Sequence, residues 1–258
     1  MTVEPVAGER ALEISGPAGR YIVAADLHVG IEEQLARCGF RVPDQTDRNL
    51  ERLRRLVDER KPSGLVLLGD VKHQVPYAER WEKRKVFRLL DELSALVPVT
   101  VVSGNHDGGI GTMAPGRVRR VGSLVLGSIG LVHGHAWPPE RLMRCKTLVL
   151  AHAHPSVLLC DERGRPVTEA CWLRAGIVGR KAKERYGPPF PEIVLMPAFT
   201  DLRGGFPVNG RGGRLLGPLF RNGLVDVPRA RVYLTDGTFL GCVRDLLPVP
   251  SPAGRYRM

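Results

Sequence analysis

Two apolar runs too short to be helices constrain the fold more than any other feature of the sequence. Gly64 to Leu68, bounded by Pro62-Ser63-Gly64, and Val99 to Val102, preceded by Pro98, are uninterrupted apolar pieces of strand length. A strand that is apolar on both faces must be covered on both faces, which makes it a central strand between packed layers. An amphipathic helix is predicted before each run. Leu50, Leu53, Leu56 and Val57 recur at helical spacing between Asp47 and Arg60. Val86, Leu89, Leu90, Leu93 and Val97 do the same along a helix expected over about Glu79–Leu96, which Pro98 stops. Ahead of these, Ala11–Ile14 and Tyr21–Ala25 read as a hairpin turned by Gly16-Pro17-Ala18-Gly19, and Ile31–Arg37 as a short helix ending at Gly39. The resulting order of strand, helix, strand, helix, strand belongs to the α/β class.

After Gly108-Gly109 the pattern changes to short strands, expected at Arg117–Val121, Leu124–Leu126, Ile129–Val132, Leu148–Leu150 and Val157–Cys160. Asp161-Glu162-Arg163-Gly164 returns the last of these through Pro166 to Ala170, and a final hairpin surrounds Thr235-Asp236-Gly237-Thr238. Gly, Pro and Arg dominate from Gly204 onward. We therefore expect one principal domain over residues 1–207, with residues 208–258 an extension packed on it.

A hydrophobic fraction of 43% is enough to build a core and argues against a disordered chain. No apolar run reaches the length of a membrane span, and MTVEPVAGER is not a basic-then-apolar leader, so a cytoplasmic protein without a membrane partner is expected. The cysteines number five and form no close CxxC pair, which argues for buried thiols rather than a disulfide scaffold. A formal net charge of +11 suits a polyanionic partner such as nucleic acid, although arginine spread along the chain gives the same total without one.

The chemistry lies at the strand ends. Tyr21–Ala25 runs into Asp26 and His28, and Leu65–Leu68 into Gly69 and Asp70. Val99–Val102 leads to Asn105 and His106, Ile129–Val132 to His133, and Leu148–Ala151 to His152 and His154. In open α/β sheets ligands gather beyond the carboxyl ends of strands, so these side chains can converge although they are far apart in sequence. Carboxylate, imidazole and amide oxygen without thiolate suit Mn, Fe or Zn in a reactive site better than a structural zinc.

In their order and spacing, Asp26-Leu27-His28, Gly69-Asp70, Gly104-Asn105-His106-Asp107, His133-Gly134-His135 and His152-Ala153-His154 resemble the motif set of calcineurin-like metallophosphoesterases. The likeness covers roughly residues 20–160. Gly69-Asp70-Val71-Lys72-His73 and Met196-Pro197-Ala198-Phe199 are similar to the archaeal SbcD-related, ICC-like branch and carry it toward residue 207. The resemblance implies a four-layer α-β-β-α sandwich with two central mixed β-sheets. It also implies two divalent metals, Mn first, with Asp26, His28 and His154 completing one site and Asn105, His133 and His152 the other. Asp70 would bridge the two metals, and His106 would protonate the leaving oxygen instead of holding metal. Ala151 replaces the family's usual glycine, and His73 stands where the protein-phosphatase type carries the carboxylate that orients its acid histidine, leaving the partner of His106 open.

Metal-dependent phosphoester hydrolysis is the activity this implies, with a nuclease-like phosphodiesterase first. A small-molecule or cyclic-nucleotide phosphoesterase, and an inert nucleic-acid binder, are the alternatives. Lys72, His73 and His135 are candidate substrate contacts, although an exposed loop accounts for the first two equally well. Arg174, Arg180, Lys181, Lys183 and Arg185 would follow a nucleic-acid backbone. Among the aromatics that could stack bases, Trp81 reads as core and Trp137 as the edge of a pocket, with Trp172 left open. Oligomeric state is not encoded in these motifs.

Overall fold

The computed structural model describes residues 1–17, 19–202, 205–210 and 214–246. The chain builds two mixed sheets packed face to face. The first is β1 (Thr2–Pro5), β2 (Ala11–Gly16), β3 (Gly19–Ala24), β4 (Gly64–Leu68), β5 (Val99–Val102) and β6 (Arg119–Val121), lying side by side in chain order. Its first three strands form an antiparallel meander and β3 to β6 run parallel, so β3, β4 and β5 end on the same edge. The helices expected before the two apolar runs are present as α2 (Gln45–Arg60) and α3 (Arg80–Leu96), and α1 (Ile31–Arg37) follows β3. Asp44 starts α2 by accepting a 2.7 Å hydrogen bond from Thr46 N, a cap worth about 1 kcal/mol.

The second sheet contains β7 (Leu124–Leu126), β8 (Ile129–Leu131), β9 (Thr147–Leu150), β10 (Pro155–Cys160), β11 (Pro166–Ala175), β12 (Glu192–Leu195) and β13 (Phe206–Pro207). β14 (Arg231–Leu234) pairs with β11 and with β15 (Phe239–Cys242). Short helices α4 (Glu140–Met143), α5 (Arg180–Tyr186) and α6 (Pro218–Arg221) lie along the chain between these strands. β8, β9 and β12 are mutually parallel, which gives this sheet a common carboxyl edge as well.

Three apolar layers separate the four structural layers, and strand alternation sorts residues among them. Ile22, Ala24, Leu65, Leu67, Val99 and Val101 face α2 and α3. Val23, Ala25, Val66, Leu68 and Val102 meet Leu131, Val149, Ala151, Trp172, Val194 and Met196 between the sheets. Leu148, Leu150, Leu173, Ile193 and Leu195 pack with Leu142, Ala182, Tyr186 and Leu219 on the outer face of the second sheet. This is the expected α-β-β-α sandwich.

Several elements depart from the sequence reading. β1, β12 and β13 are additional to the expected strands, and β11 continues five residues past Ala170, where its later half pairs with β12 and β14. Trp81 is half-buried instead of core, with Nε1 donating 2.9 Å to Glu79 Oε2. Trp172 is buried between the sheets, where no base can reach it. Of the extension, residues 211–213 and 247–258 lie outside the described residues. No helix among the described residues is long and apolar enough to cross a membrane.

Candidate metal centre

All seven histidines of the chain lie in one place, at the carboxyl edges of the two sheets. Their rings form two neighbouring groups. His28 lies 5.0–5.4 Å, centroid to centroid, from His73, His106 and His154, and His133 lies 5.0–5.2 Å from His152 and His135. The chain reaches this geometry through an uncommon backbone. Asp26, His28, Asp70, His152 and His154 have φ of 55°, 47°, 46°, 69° and 43°, the left-handed region that non-glycine residues seldom occupy. Such residues cost on the order of 1–3 kcal/mol each and concentrate at functional sites. Hydrogen bonds hold these turns past the strand ends: Asp26 N donates to Gly69 O (3.1 Å), His28 N to Asp70 O (2.9 Å) and Ala151 N to His133 O (3.0 Å). Ala151 itself is not among the positive-φ residues, so its Cβ is accommodated without strain.

Three largely buried sets of three donors result among the described residues: Asp26, His28 and His154; Asp70, His133 and His152; and His28, His73 and His106, the last sharing His28 with the first. Within each set the donor atoms lie within 4.8 Å of one another. Asp26 reaches the first two, with Oδ1 2.8 Å from His133 Nε2 and Oδ2 3.3 Å from His154 Nε2. Burial alone would raise the Asp26 pKa, but the imidazoles of His154 and His133 outweigh it and hold the carboxyl well below its ordinary range. Burial likewise pushes His133 down, and Asp26 and Asp70 reverse this, so its pKa is raised. Burial with the neighbouring His133 charge drives His152 down to about 3, leaving a neutral imidazole with a lone pair to give. Carboxylates and imidazoles without thiolate fit divalent cations of the Mn, Fe and Zn group. Asn105, the remaining expected ligand, is exposed beside His106.

The residues around these donors have definite partners. His106 N donates to Asp70 Oδ1 (2.8 Å), and His106 Nδ1 donates to the carbonyl of His73 (2.5 Å), which turns Nε2 toward Asp70 Oδ2 at 3.8 Å. The partner of His106 is therefore a backbone oxygen at the position where the phosphatase type uses a carboxylate. The His73 ring meets the Gln34 side-chain oxygen through Nε2 and His28 Nδ1 through its own Nδ1, 3.3 Å away. An amide oxygen only accepts, so His73 Nε2 is the donor to Gln34; with both rings neutral, His73 Nδ1 would accept from His28 Nδ1 and the His28 lone pair would lie on Nε2, where it can face a cation.

The exposed-loop alternative for Lys72 and His73 fails, since both are buried. Lys72 Nζ bonds to the carbonyl of Gln74, and burial lowers its pKa, so it faces the protein interior and not a substrate. His135 packs on His133, Nδ1 to Nδ1 at 3.0 Å, and burial beside His133 lowers its pKa. Trp137 lies under Arg185, whose guanidinium is 3.9 Å from the ring centroid, and does not edge the clefts at the metal donors. Arg174 is ion-paired to Glu192 at 2.9 Å and Arg180 to Glu184 at 3.2 Å, while Lys181 and Lys183 stand exposed on α5.

Some organising residues carry no signal of their role in the motifs. Asp107 is buried and accepts from Val71 N (2.8 Å) and Gly104 N (2.7 Å), tying the turn after β4 to the turn after β5. Glu82 Oε1 accepts from the amides of His73 and Gln74, both at 2.8 Å. Ile31, Gln34, Leu35 and Cys38 line a cleft with Asp70, His106, His152 and His154. Their i, i+3, i+4, i+7 spacing is a helical stripe that faces a cleft instead of a core, and it could have been found from sequence.

Gly104 has a steric role. A Cβ there would lie 2.2 Å from Asp70 Oδ1 and 2.4 Å from Asp70 N. Gly104→Ala should cost about 1–3 kcal/mol of stability through overpacking and should weaken metal uptake far more, because Asp70 is the group displaced. Calorimetric melting beside Mn titration checks this, and unchanged Mn affinity would mean that Asp70 holds its place without the glycine.

A layered α/β sandwich that gathers carboxylates and imidazoles at the seam of its sheets defines a metal-dependent hydrolase of phosphoester bonds. Residues 19–189 match the calcineurin-like phosphoesterase family, and the chain belongs to it. Among solved structures it is similar to the nuclease MPE of Pseudomonas putida, with 22% identity, a TM-score of 0.56, and coverage of 91% of this chain and 98% of that one. That likeness is one of fold. YfcE, a phosphoesterase from E. coli, aligns at 18% identity over 89% of this chain and 99% of its own, with a TM-score of 0.39. No curated protein matches the chain.

Proposed function

We propose that the protein hydrolyses phosphodiesters at a dinuclear centre, with nucleic acid as the substrate class. Asp26, His28 and His154 would hold one cation and Asn105, His133 and His152 the other, with Asp70 between them and Mn as the favoured metal. When bound, two such cations lower the pKa of water and offset charge on the phosphoryl oxygens. The chain's own residues supply the rest: Asp70 fixes the His106 backbone, the His73 carbonyl holds the His106 ring, and Nε2 is left to exchange a proton with the leaving oxygen.

One observation carries the choice of diester over monoester. A cleft of about 420 Å³ lies over Asp70, His152 and His154, a second of about 510 Å³ lies beside it, and Gln34 and His106 line both. A diester has a substituent on each side of the phosphorus and can occupy both. Mn-reconstituted protein should therefore cleave bis-p-nitrophenyl phosphate faster than p-nitrophenyl phosphate and should also cleave single- or double-stranded DNA. Preference for the monoester would point to a small-molecule phosphoesterase, and binding of DNA without turnover to an inert binder.

Elemental analysis should find two metals per chain after reconstitution with Mn. A ratio that stays at one under saturating metal would mean that the second donor set does not bind.

Nucleic-acid binding should weaken steeply with salt if the exposed cations of α5 contact phosphates, since each neutralised phosphate releases condensed counterion. Charge reversal at Lys181 and Lys183 should flatten the log–log slope by roughly 0.7–0.9 for each phosphate that is no longer neutralised. Absence of oligonucleotide affinity at low salt would reduce this surface to a solvated face.

A further inference from the structure

The loop joining β4 to α3 carries Tyr77, which is 85% exposed although its surroundings are firmly tied. Gln74 N donates to Glu82 Oε1 (2.8 Å), Glu79 N donates to Gln74 Oε1 (2.8 Å) and Gln74 Nε2 donates to Glu79 Oε1 (3.1 Å). Glu79 also accepts from Trp81 Nε1 (2.9 Å) and pairs with Arg37 of α1 (2.7 Å). These bonds anchor the loop on both sides of Tyr77, so its backbone is held in place and the exposed ring is free to stack on a ligand.

Tyr77 lines the larger cleft with His106, His73, Gln34, Arg37 and Glu79. Asp70, His152 and His154 line only the other cleft, while His106 lines both. A substituent in the Tyr77 cleft therefore lies past His106 from Asp70, His152 and His154, on the side where His106 would meet the leaving oxygen. The chemistry of this cleft does not suit a second phosphate, because its arginine is neutralised by Glu79. It suits a flat, uncharged ring with a polar edge.

We propose that the Tyr77 cleft is the leaving-group subsite and that Tyr77 stacks on the base of the departing nucleotide, so that nucleotide diesters are preferred over diesters with a bare sugar or alkyl leaving group. This rests on the phosphodiesterase reading above. The test uses Mn-loaded wild type, Tyr77→Ala and Tyr77→Phe. The substrates are a dinucleotide and the same diester lacking the base on its departing sugar, with the departing side identified from the products. In wild type the base should lower KM more than it changes kcat. Tyr77→Ala should raise KM for the dinucleotide by about 5- to 150-fold, the range of base–aromatic stacking, and bring the two substrates close together. Tyr77→Phe should keep the preference, since the ring face is retained. Hydrolysis of both diesters with the same base dependence in wild type and Tyr77→Ala would overturn the subsite and leave the phosphodiesterase reading standing. Hydrolysis of p-nitrophenyl phosphate with neither the dinucleotide nor bis-p-nitrophenyl phosphate cleaved would overturn both.

Discussion

Asp70→Asn should all but abolish turnover in a protein that still folds. The side chain is 2% exposed, and its Oδ1 accepts the His106 amide at 2.8 Å. The amide oxygen of asparagine can accept the same bond, so the turn after β5 keeps its tether. What the substitution removes is the negative charge beside His133 Nε2, 3.6 Å from Asp70 Oδ2. Two cations held close together need a carboxylate to offset their repulsion, and the charge stabilisation at stake is several kcal/mol. We expect a loss in kcat of at least about 10³-fold, with reduced metal content and a circular dichroism melt close to wild type. Near-normal hydrolysis of bis-p-nitrophenyl phosphate by the folded variant would remove Asp70 from the bridging role.

His106→Ala should have the second largest effect and a different signature. Nδ1 is committed to the His73 carbonyl and Nε2 is the nitrogen turned toward Asp70. The ring is thus set to exchange a proton, and the two carboxylate-containing donor sets are complete without it, although His106 also forms a third set with His28 and His73. The variant should keep its metal and lose about 10²–10⁴ in kcat, the usual contribution of a positioned acid. The loss should shrink for p-nitrophenolate leaving groups, which depart without protonation, and be largest for an alkoxide. Metal lost together with activity would make His106 a ligand.

The parallel half of the first sheet is legible in the sequence because covered strands and amphipathic helices each impose a period on it. β4 and β5 begin and end at the residues their apolar runs define. The second sheet is less so. β12 is only four residues long, and its place between β11 and β9 depends on partners far away in the chain. At the site, residue types at strand ends identify the donors, since such side chains have few reasons to recur there. Their partners are hidden: nothing in the spacing of His73 and His106 says that a main-chain oxygen will orient the ring. Lys72 misleads because charge suggests exposure, whereas it is buried near Glu82, Asp107 and Asp70. The gathering of His28, His106, His133, His152 and His154 follows from their positions at strand ends, whereas that of His73 and His135 does not.

The two sets that contain a carboxylate draw on both sheets, whereas His28, His73 and His106 all follow strands of the first. Asp26, His28 and Asp70 follow strands of the first sheet, and His133, His152 and His154 follow strands of the second. Neither half of the polypeptide therefore owns either of these two mixed sets, and a chain divided between β6 and β7 would yield two pieces that complete them only when docked. Donor spacing then depends on side chains with no part in the chemistry. Trp172, packed between the sheets with Val66, Leu68 and Val149, acts as a spacer. Substitutions in that dry interior, remote from any substrate, are a route by which metal preference and rate can be tuned without altering a single ligand.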